Sequence, residues 1–320
     1  GSGLIVLGST LAIFAPQYWL FILGRFIMGF GGALYVVYLS PVVIHYFESK
    51  KRLTVNALNG AAYNFGGIVA MVIVGPVIIW LKNWQYSMGF FAAVSALLWP
   101  LFGQDFELNR STGTGQAPYT IREAMKEKIN WILPFTYSGL LTFYIVMLNI
   151  FPISGVTAIS SKALGTLVAI GGIIGSLLAI ALGKVYFKRL PVIRYSGLAM
   201  TLFGLLMLRT DSSLLSAVAA FLIGMFMFLP VSSLMMIPQE LPGMTPSKLT
   251  TIMGLFWALS YIIETAAYFI IGFIIDRFGY GMGLNFALIM SVTFFLGSFL
   301  LPETGKGGKS EKVNAKLKCS

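Results

Sequence analysis

The sequence predicts an all-α, polytopic membrane protein of about ten transmembrane helices, and three observations predict it. Of 320 residues, 57% are hydrophobic and only 10% charged, whereas soluble globular chains carry roughly 25% charged residues. The apolar residues fall into blocks long enough to cross a bilayer, which takes about 20 helical residues each. The 35 glycines and 26 phenylalanines suit helices that pack closely in lipid. The same composition excludes a disordered chain, a disulfide-stapled secreted domain and a nucleic-acid-binding module. Cys319, the single cysteine, has no partner for an internal disulfide and is not fourth from the end, as a prenylation box requires.

Hydropathy and breakers place the spans near residues 3–15, 17–46, 53–81, 84–103, 131–152, 163–183, 190–208, 212–238, 249–275 and 280–301. The first starts at Gly1 without an initiator Met or a basic flank, so it does not read as a signal peptide and points to a chain that has lost its beginning. Residues 104–130 form a polar linker between four spans and six. Its second part, Thr120 to Lys128, alternates charge and reads as a short surface helix. The stretch 302–320, with Lys306, Lys309, Lys312, Lys316 and Lys318, reads as a disordered basic tail.

The charge of +11 is decided by placement. If the tail is cytoplasmic and the spans alternate, 17 of the 22 basic residues fall inside, 4 fall outside, and Arg25 lies within a span. Lys50, Lys51, Arg52, the Arg122–Lys128 cluster, Lys184–Arg194 and Lys248 all belong to the inside set. Such a bias orients a plasma-membrane protein with both termini cytoplasmic and its positive charge against anionic lipid heads, not nucleic acid.

This pattern resembles the major facilitator superfamily of secondary transporters, which has two six-helix halves joined by a cytoplasmic linker. The resemblance implies a two-bundle architecture with an incomplete first bundle: residues 1–103 match family helices 3–6, 104–130 the linker, and 131–301 the complete second bundle. By that reading helices 1 and 2 are missing, and this stretch of chain does not transport alone. Arg25 followed by Gly29, Gly31, Gly32 and Ala33 is similar to the family's helix-4 pattern, and Lys50-Lys51-Arg52 to its 4–5 loop. Asn83-Trp84 resembles the aromatic entry to helix 6. Gly183 to Arg189 occupies the 8–9 loop but lacks the family's Asp. Pro238-Gln-Glu240-Leu-Pro-Gly243 is similar to the cyanate, nitrate and oxalate permease branches. Two further motifs have plainer explanations. Gly272 to Gly279, with Asp276-Arg277, copies the loop motif's spacing on the outer side, where a Gly-terminated helix with a solvated charge pair suffices. Leu301-Pro-Glu-Thr-Gly305 spells a sorting signal but lacks the apolar stretch that must follow, so Pro302 and Glu303 simply end the last helix.

Charged groups within a span cost about 2.5–3.5 kcal/mol each at a helix centre and mark cavities or partners. Arg25 and Glu264 qualify, either as transport groups or as buried struts. Trp257, Tyr261, Glu264 and Tyr268 recur at helical steps on one face, which suits a cation or a proton carrier, or an aromatic packing seam. Asn56, Asn59 and Tyr63, with Asn64 beside them, either line a vestibule or bond to a neighbouring helix. Tyr137 and Tyr144, with Ser138, Thr142 and Asn149, repeat that signal more weakly. Ser232 and Ser233 lie among methionines that read as core filler, and His45 reads as an interface residue.

Gly171, Gly175, Ala179 and Gly183 form a small-residue stripe, and Gly60, Gly67 and Gly75 recur on the third span. The family resemblance implies that these two helices meet across the halves. There is no metal-spaced His/Cys/Asp cluster, no phosphate loop and no Ser-His-acid set. Gly113-Thr-Gly115 is spacer. The sequence thus predicts a proton- or ion-coupled carrier of a small solute, with no metal, no cofactor and no enzyme activity. A transporter-like receptor, scaffold or partner subunit is the alternative.

Overall fold

The structure is a computed structural model that describes residues 1–102 and 119–305. The first part of the linker with Arg110 and Gly113–Gly115, and residues 306–320 with the five tail lysines and Cys319, lie outside the described residues. All regular structure among the described residues is helical. The helices are α1 (Ser2–Ile13), α2 (Tyr18–Tyr46), α3 (Ser49–Leu81), α4 (Trp84–Phe102), the short α5 (Ile121–Ala124), α6 (Ile129–Asn149), α7 (Ser161–Val185), α8 (Leu190–Arg209), α9 (Ser213–Phe228), α10 (Val231–Gln239), α11 (Pro246–Phe278) and α12 (Tyr280–Gly297).

Among the described residues eight spans are long and apolar enough to cross a membrane, α9 and α10 together forming one of them. With α1, which has 12 residues, and α4, which has 19, they occupy the ten positions read from hydropathy. The chain is an integral membrane protein of the predicted class. One expected span is not continuous. The run 212–238 breaks at Leu229–Pro230, because Pro230 has no N–H to carry the helix ladder through.

Local chemistry sets the ends. Ser160, Ser212 and Thr245 accept from the backbone N–H three residues on, at 3.3, 3.4 and 3.2 Å, and cap α7, α9 and α11. The expected surface helix is the four-residue α5, closed by a Thr120–Glu123 capping box. The Thr120 backbone N–H holds the Glu123 carboxyl below the usual carboxylate range. Arg52 donates to the carbonyls of Phe47 and Ile44 at 3.0 and 3.2 Å, satisfying the last turn of α2. Gly279 ends α11 at φ 82°, and Arg277 lies over the Phe273 ring at 4.4 Å, so this motif is a helix stop and not a family loop.

Two groups of helices result. In the second group, α6–α12 enclose the core, from Leu133, Phe143 and Met147 on α6 to Phe256 on α11 and Phe294 on α12. In the first, α1 lies against α2 and α4, while α3 makes its largest contact with α7 of the second group. In its most apolar 18-residue stretch the Ile129–Ile153 span is 67% buried, whereas that of Ser49–Leu81 is 6% buried, so α6 sits at the centre of its group and much of α3 at the margin.

The α3–α7 contact is an antiparallel ladder of small side chains. Leu53 meets Gly183, Ala57 meets Ala179, Gly60 meets Ser176, and Asn64 meets Gly172. This corrects the expected stripe. Gly171 and Gly175 face Phe221 and Met225 on α9, within the second group, while Gly67 and Gly75 have nothing within 4 Å. The physical reason is rotation. Positions 172, 176 and 183 turn one face of α7 to α3, and 171 and 175, about 100° around the helix, turn the adjacent face to α9.

Candidate functional site

Six helices from both groups surround a cavity of about 110 Å3. Val36, Leu39 and Ser40 come from α2, and Asn56, Asn59, Gly60 and Tyr63 from α3. Across from them stand Tyr137, Leu140, Leu141 and Tyr144 on α6, and Met253, Trp257 and Tyr261 on α11. Phe228 from α9 and Val231 and Met235 from α10 bring the broken span to the wall. The interruption at Pro230 therefore lies beside the cavity, with Leu229 and Pro230 both keeping helical backbone angles.

The walls are aromatic. Trp257 stacks on Tyr261 with ring centroids 5.8 Å apart and meets Tyr137 edge-on at 5.5 Å. Opposite, Tyr63 stacks on Phe228 at 6.4 Å, and Tyr144 meets Phe228 edge-on at 5.3 Å. The buried indole Nε1 of Trp257 has no hydrogen-bond partner among the described residues.

A hydrogen-bonded plug seals one end. Gln239 at the end of α10 donates to the Ser40 hydroxyl at 3.2 Å and the Asn56 carbonyl oxygen at 3.5 Å. Asn56 returns a bond to Gln239 Oε1 at 3.4 Å. All three residues are at most 5% exposed, so the bonds are made away from water and join the two groups directly. The next residue, Glu240, is held within the second group. It pairs with Arg189 at 2.8 Å and accepts from Thr304 at 2.6 Å. Glu303 accepts from the backbone N–H of Arg189 and of Leu190 at 2.8 and 3.0 Å, capping the start of α8. These ties lie at the end of the molecule that carries Lys50–Arg52, Lys184–Arg194 and Lys248, hereafter the basic end. Along the faces of α2 and α3, Gly29, Gly32, Gly66, Gly67 and Gly75 have no neighbour within 4 Å, and α11 beyond Tyr261 borders an open groove along Ile262, Thr265 and Phe269.

A cavity between two helix groups, closed by hydrogen bonds at the basic end, fits the family resemblance noted in the sequence. The sequence profile of the Major Facilitator Superfamily matches residues 1–264. The chain belongs to that superfamily. As one of its members it is 26% identical over 145 residues to the uncharacterized protein Cj0987c of Campylobacter jejuni, an alignment that covers 44% of each chain. Among solved structures, this superfamily member is similar to the E. coli fucose:proton symporter FucP, with a TM-score of 0.71 and 17% identity over 93% of this chain and 82% of that one. A second FucP structure, in the outward conformation, gives 0.70 and 16% over 93% and 81%. The human organic anion transporter MFSD10 gives 0.60 and 15% over 94% and 75%. At these identities the likeness establishes the fold.

The structure gathers seven of the polar and aromatic residues singled out in the sequence around this superfamily member's cavity: Asn56, Asn59, Tyr63, Tyr137, Tyr144, Trp257 and Tyr261. It sets others apart. Asn64 is buried against Gly172 and donates to the Gly60 carbonyl at 2.9 Å. Ser232 is buried with an unpartnered hydroxyl, and Tyr268 is half-buried against the core. Neither is a wall residue. Glu264 is 6% exposed, one turn beyond Tyr261 on the same face of α11, and its carboxyl accepts from the Thr265 hydroxyl at 3.5 Å. Arg25 is exposed on α2, and among the described residues no ion pair joins it to Glu264. No group of His, Cys, Asp or Glu among the described residues has the arrangement of a metal site. Sequence reasoning missed Ser40 and Gln239 as site residues. Their signal was one polar side chain each near the end of an apolar run.

Proposed function

We propose that the protein is a secondary transporter that moves a small solute by alternating access, coupled to protons through Glu264. The cavity shared by both helix groups carries this reading, because a solute held between two groups is released to either side by rocking one against the other. Residues 1–103 and 131–301 are the moving units, and the α3–α7 ladder is their bearing, since small side chains slide without interlocking. The broken α9–α10 span supports the reading, as do the names of the similar solved structures, a fucose:proton symporter and an organic anion transporter. The basic end faces the cytoplasm by the positive-inside bias, in the plasma membrane. A carrier, with no chemistry done on the solute, is the activity these features support.

The Ser40–Asn56–Gln239 plug is the gate on the cytoplasmic side. Gln239→Ala removes bonds worth about 1–2 kcal/mol, which shifts the open-to-closed ratio roughly five- to thirtyfold. With Asn59→Cys as reporter, labelling by an impermeant thiol reagent from the basic end is expected to accelerate in the Gln239→Ala background. An unchanged rate would remove the plug as a gate.

Uptake by the native gene product in proteoliposomes, with and without a pH gradient, tests the reading as a whole. Solute accumulation that follows the gradient supports a coupled carrier. A folded protein that neither accumulates nor exchanges solute supports instead a receptor or partner subunit.

A further inference from the structure

We infer that the seam between α8 and α12 at the basic end binds one anionic phospholipid, whose headgroup phosphate is held by Arg194. The site lies outside the central cavity and stands whether or not the protein transports. The two helices pack closely along the seam. A Cβ at Gly197 would meet the Phe294 ring at 2.9 Å and the backbone of Phe295 at 3.2 Å, and the hydroxyls of Thr201 and Ser291 lie 2.9 Å apart. Arg194 continues that face of α8 by one turn toward the basic end. Its guanidinium carbon lies 4.4 Å from the centre of the Phe299 ring, in the turn directly after α12. Phe295 meets Phe299 edge-on at 5.3 Å and braces that ring. The cation is thereby held over an aromatic face, a contact that uses none of its N–H donors.

Those donors have no partner among the described residues. Arg194 Nε is buried without an acceptor, and the guanidinium makes neither a hydrogen bond nor an ion pair there. A buried donor left unmatched is costly, and native structures rarely keep one without a ligand or water. The two carboxylates that reach the start of α8 are already engaged. Glu240 pairs with Arg189 and accepts from Thr304, while Glu303 accepts from the backbone N–H of Arg189, Leu190 and Gly305. Arg194 is thus a permanent positive charge about 6 Å along the axis from the first residue of α8, near the membrane surface. A phosphate matches its planar fork with two parallel bonds. A soluble anion would leave unused what lies beyond it. Leu198 and Leu202 follow Arg194 at steps of four on α8, and Leu296 precedes Phe299 by one turn, all three exposed. A cation at the head of an apolar stripe fits an amphiphile with its phosphate at Arg194 and an acyl chain along the leucines. A zwitterionic head would bring its own ammonium to a place with no free carboxylate, so a net negative head is the better match.

The test is native mass spectrometry of the native gene product in detergent, titrated separately with phosphatidylglycerol and with phosphatidylcholine of the same acyl chains. The parent is expected to hold one phosphatidylglycerol at a concentration about fivefold below that needed for phosphatidylcholine. Arg194→Gln is expected to erase that preference. Phe299→Leu keeps an apolar side chain but removes the ring, and is expected to weaken it. Lys188→Gln takes the same charge from an exposed residue at the same end and is expected to leave the preference in place. Equal binding of both lipids by the parent overturns the site, as does an Arg194→Gln variant that keeps the preference. A Lys188→Gln variant that loses as much as Arg194→Gln also overturns it, since diffuse positive charge would then suffice. Displacement of the lipid by inorganic phosphate overturns the lipid assignment in favour of a soluble anion. If Arg194→Gln does not elute as a folded species, Phe299→Leu decides: an undiminished preference there overturns the site, and a reduced one supports it.

Discussion

Glu264→Gln is expected to abolish gradient-driven accumulation while solute exchange continues. The carboxyl is 6% exposed, lies one turn from the cavity wall and has no cation beside it among the described residues. An ionised carboxylate shut away from water without a partner is expensive, so each passage between a water-exposed and a sealed position is linked to binding or release of a proton. Glutamine keeps the size and the ability to bond Thr265 but cannot carry that proton. One coupled proton under a one-unit pH gradient supplies about 1.4 kcal/mol, or roughly tenfold accumulation. In Glu264→Gln this ratio is expected to fall to about one, while counterflow keeps its rate because exchange needs no net proton movement. Radiolabelled solute in proteoliposomes reads both quantities. A variant that still concentrates solute removes Glu264 from the coupling mechanism.

Gly224→Ala is expected to unseat the second helix group. A methyl at Gly224 runs into the backbone carbonyl of Val168, and one at Gly175 into that of Met225. Backbone cannot turn aside as a side chain can, so α7 and α9 must move apart along their shared length. The expected loss is about 1–3 kcal/mol for each substitution, read as a lower thermal midpoint in detergent. Gly67→Ala, where nothing lies within 4 Å, is the matched control and is expected to leave the midpoint in place. Equal melting of Gly224→Ala and the parent would mean that α7 and α9 do not approach as closely as described.

The spans were legible because hydropathy is a local property and lipid enforces it. The break at Pro230 was not, since Pro41, Pro76 and Pro134 sit within continuous helices of the same protein. Whether a membrane proline breaks its helix depends on its neighbours. The four-residue repeat on α7 announced close packing but not the partner. Helices α3 and α9 take adjacent faces, and the repeat at 171 and 175 belongs to the one that a family likeness did not single out. At the cavity, the helical spacing of Asn56, Asn59 and Tyr63 and of Trp257 and Tyr261 was readable, because polar or aromatic groups on one face of an apolar helix need a common destination. Asn56 satisfies both readings the sequence left open, lining the cavity and bonding across to Gln239. Arg25 stood out for its charge and for a family pattern, and neither reports which way a side chain faces.

The cap that Glu303 places on α8 has a practical corollary for anyone handling this protein. Residues beyond Leu301 look expendable, and a purification handle fused there would be an ordinary choice. Such a fusion would discard the carboxylate that holds the backbone of Arg189 and Leu190, and with Thr304 one of the two groups bound to Glu240. Attachment after Gly305 keeps both, so two fusions only four residues apart should differ in yield and shelf life.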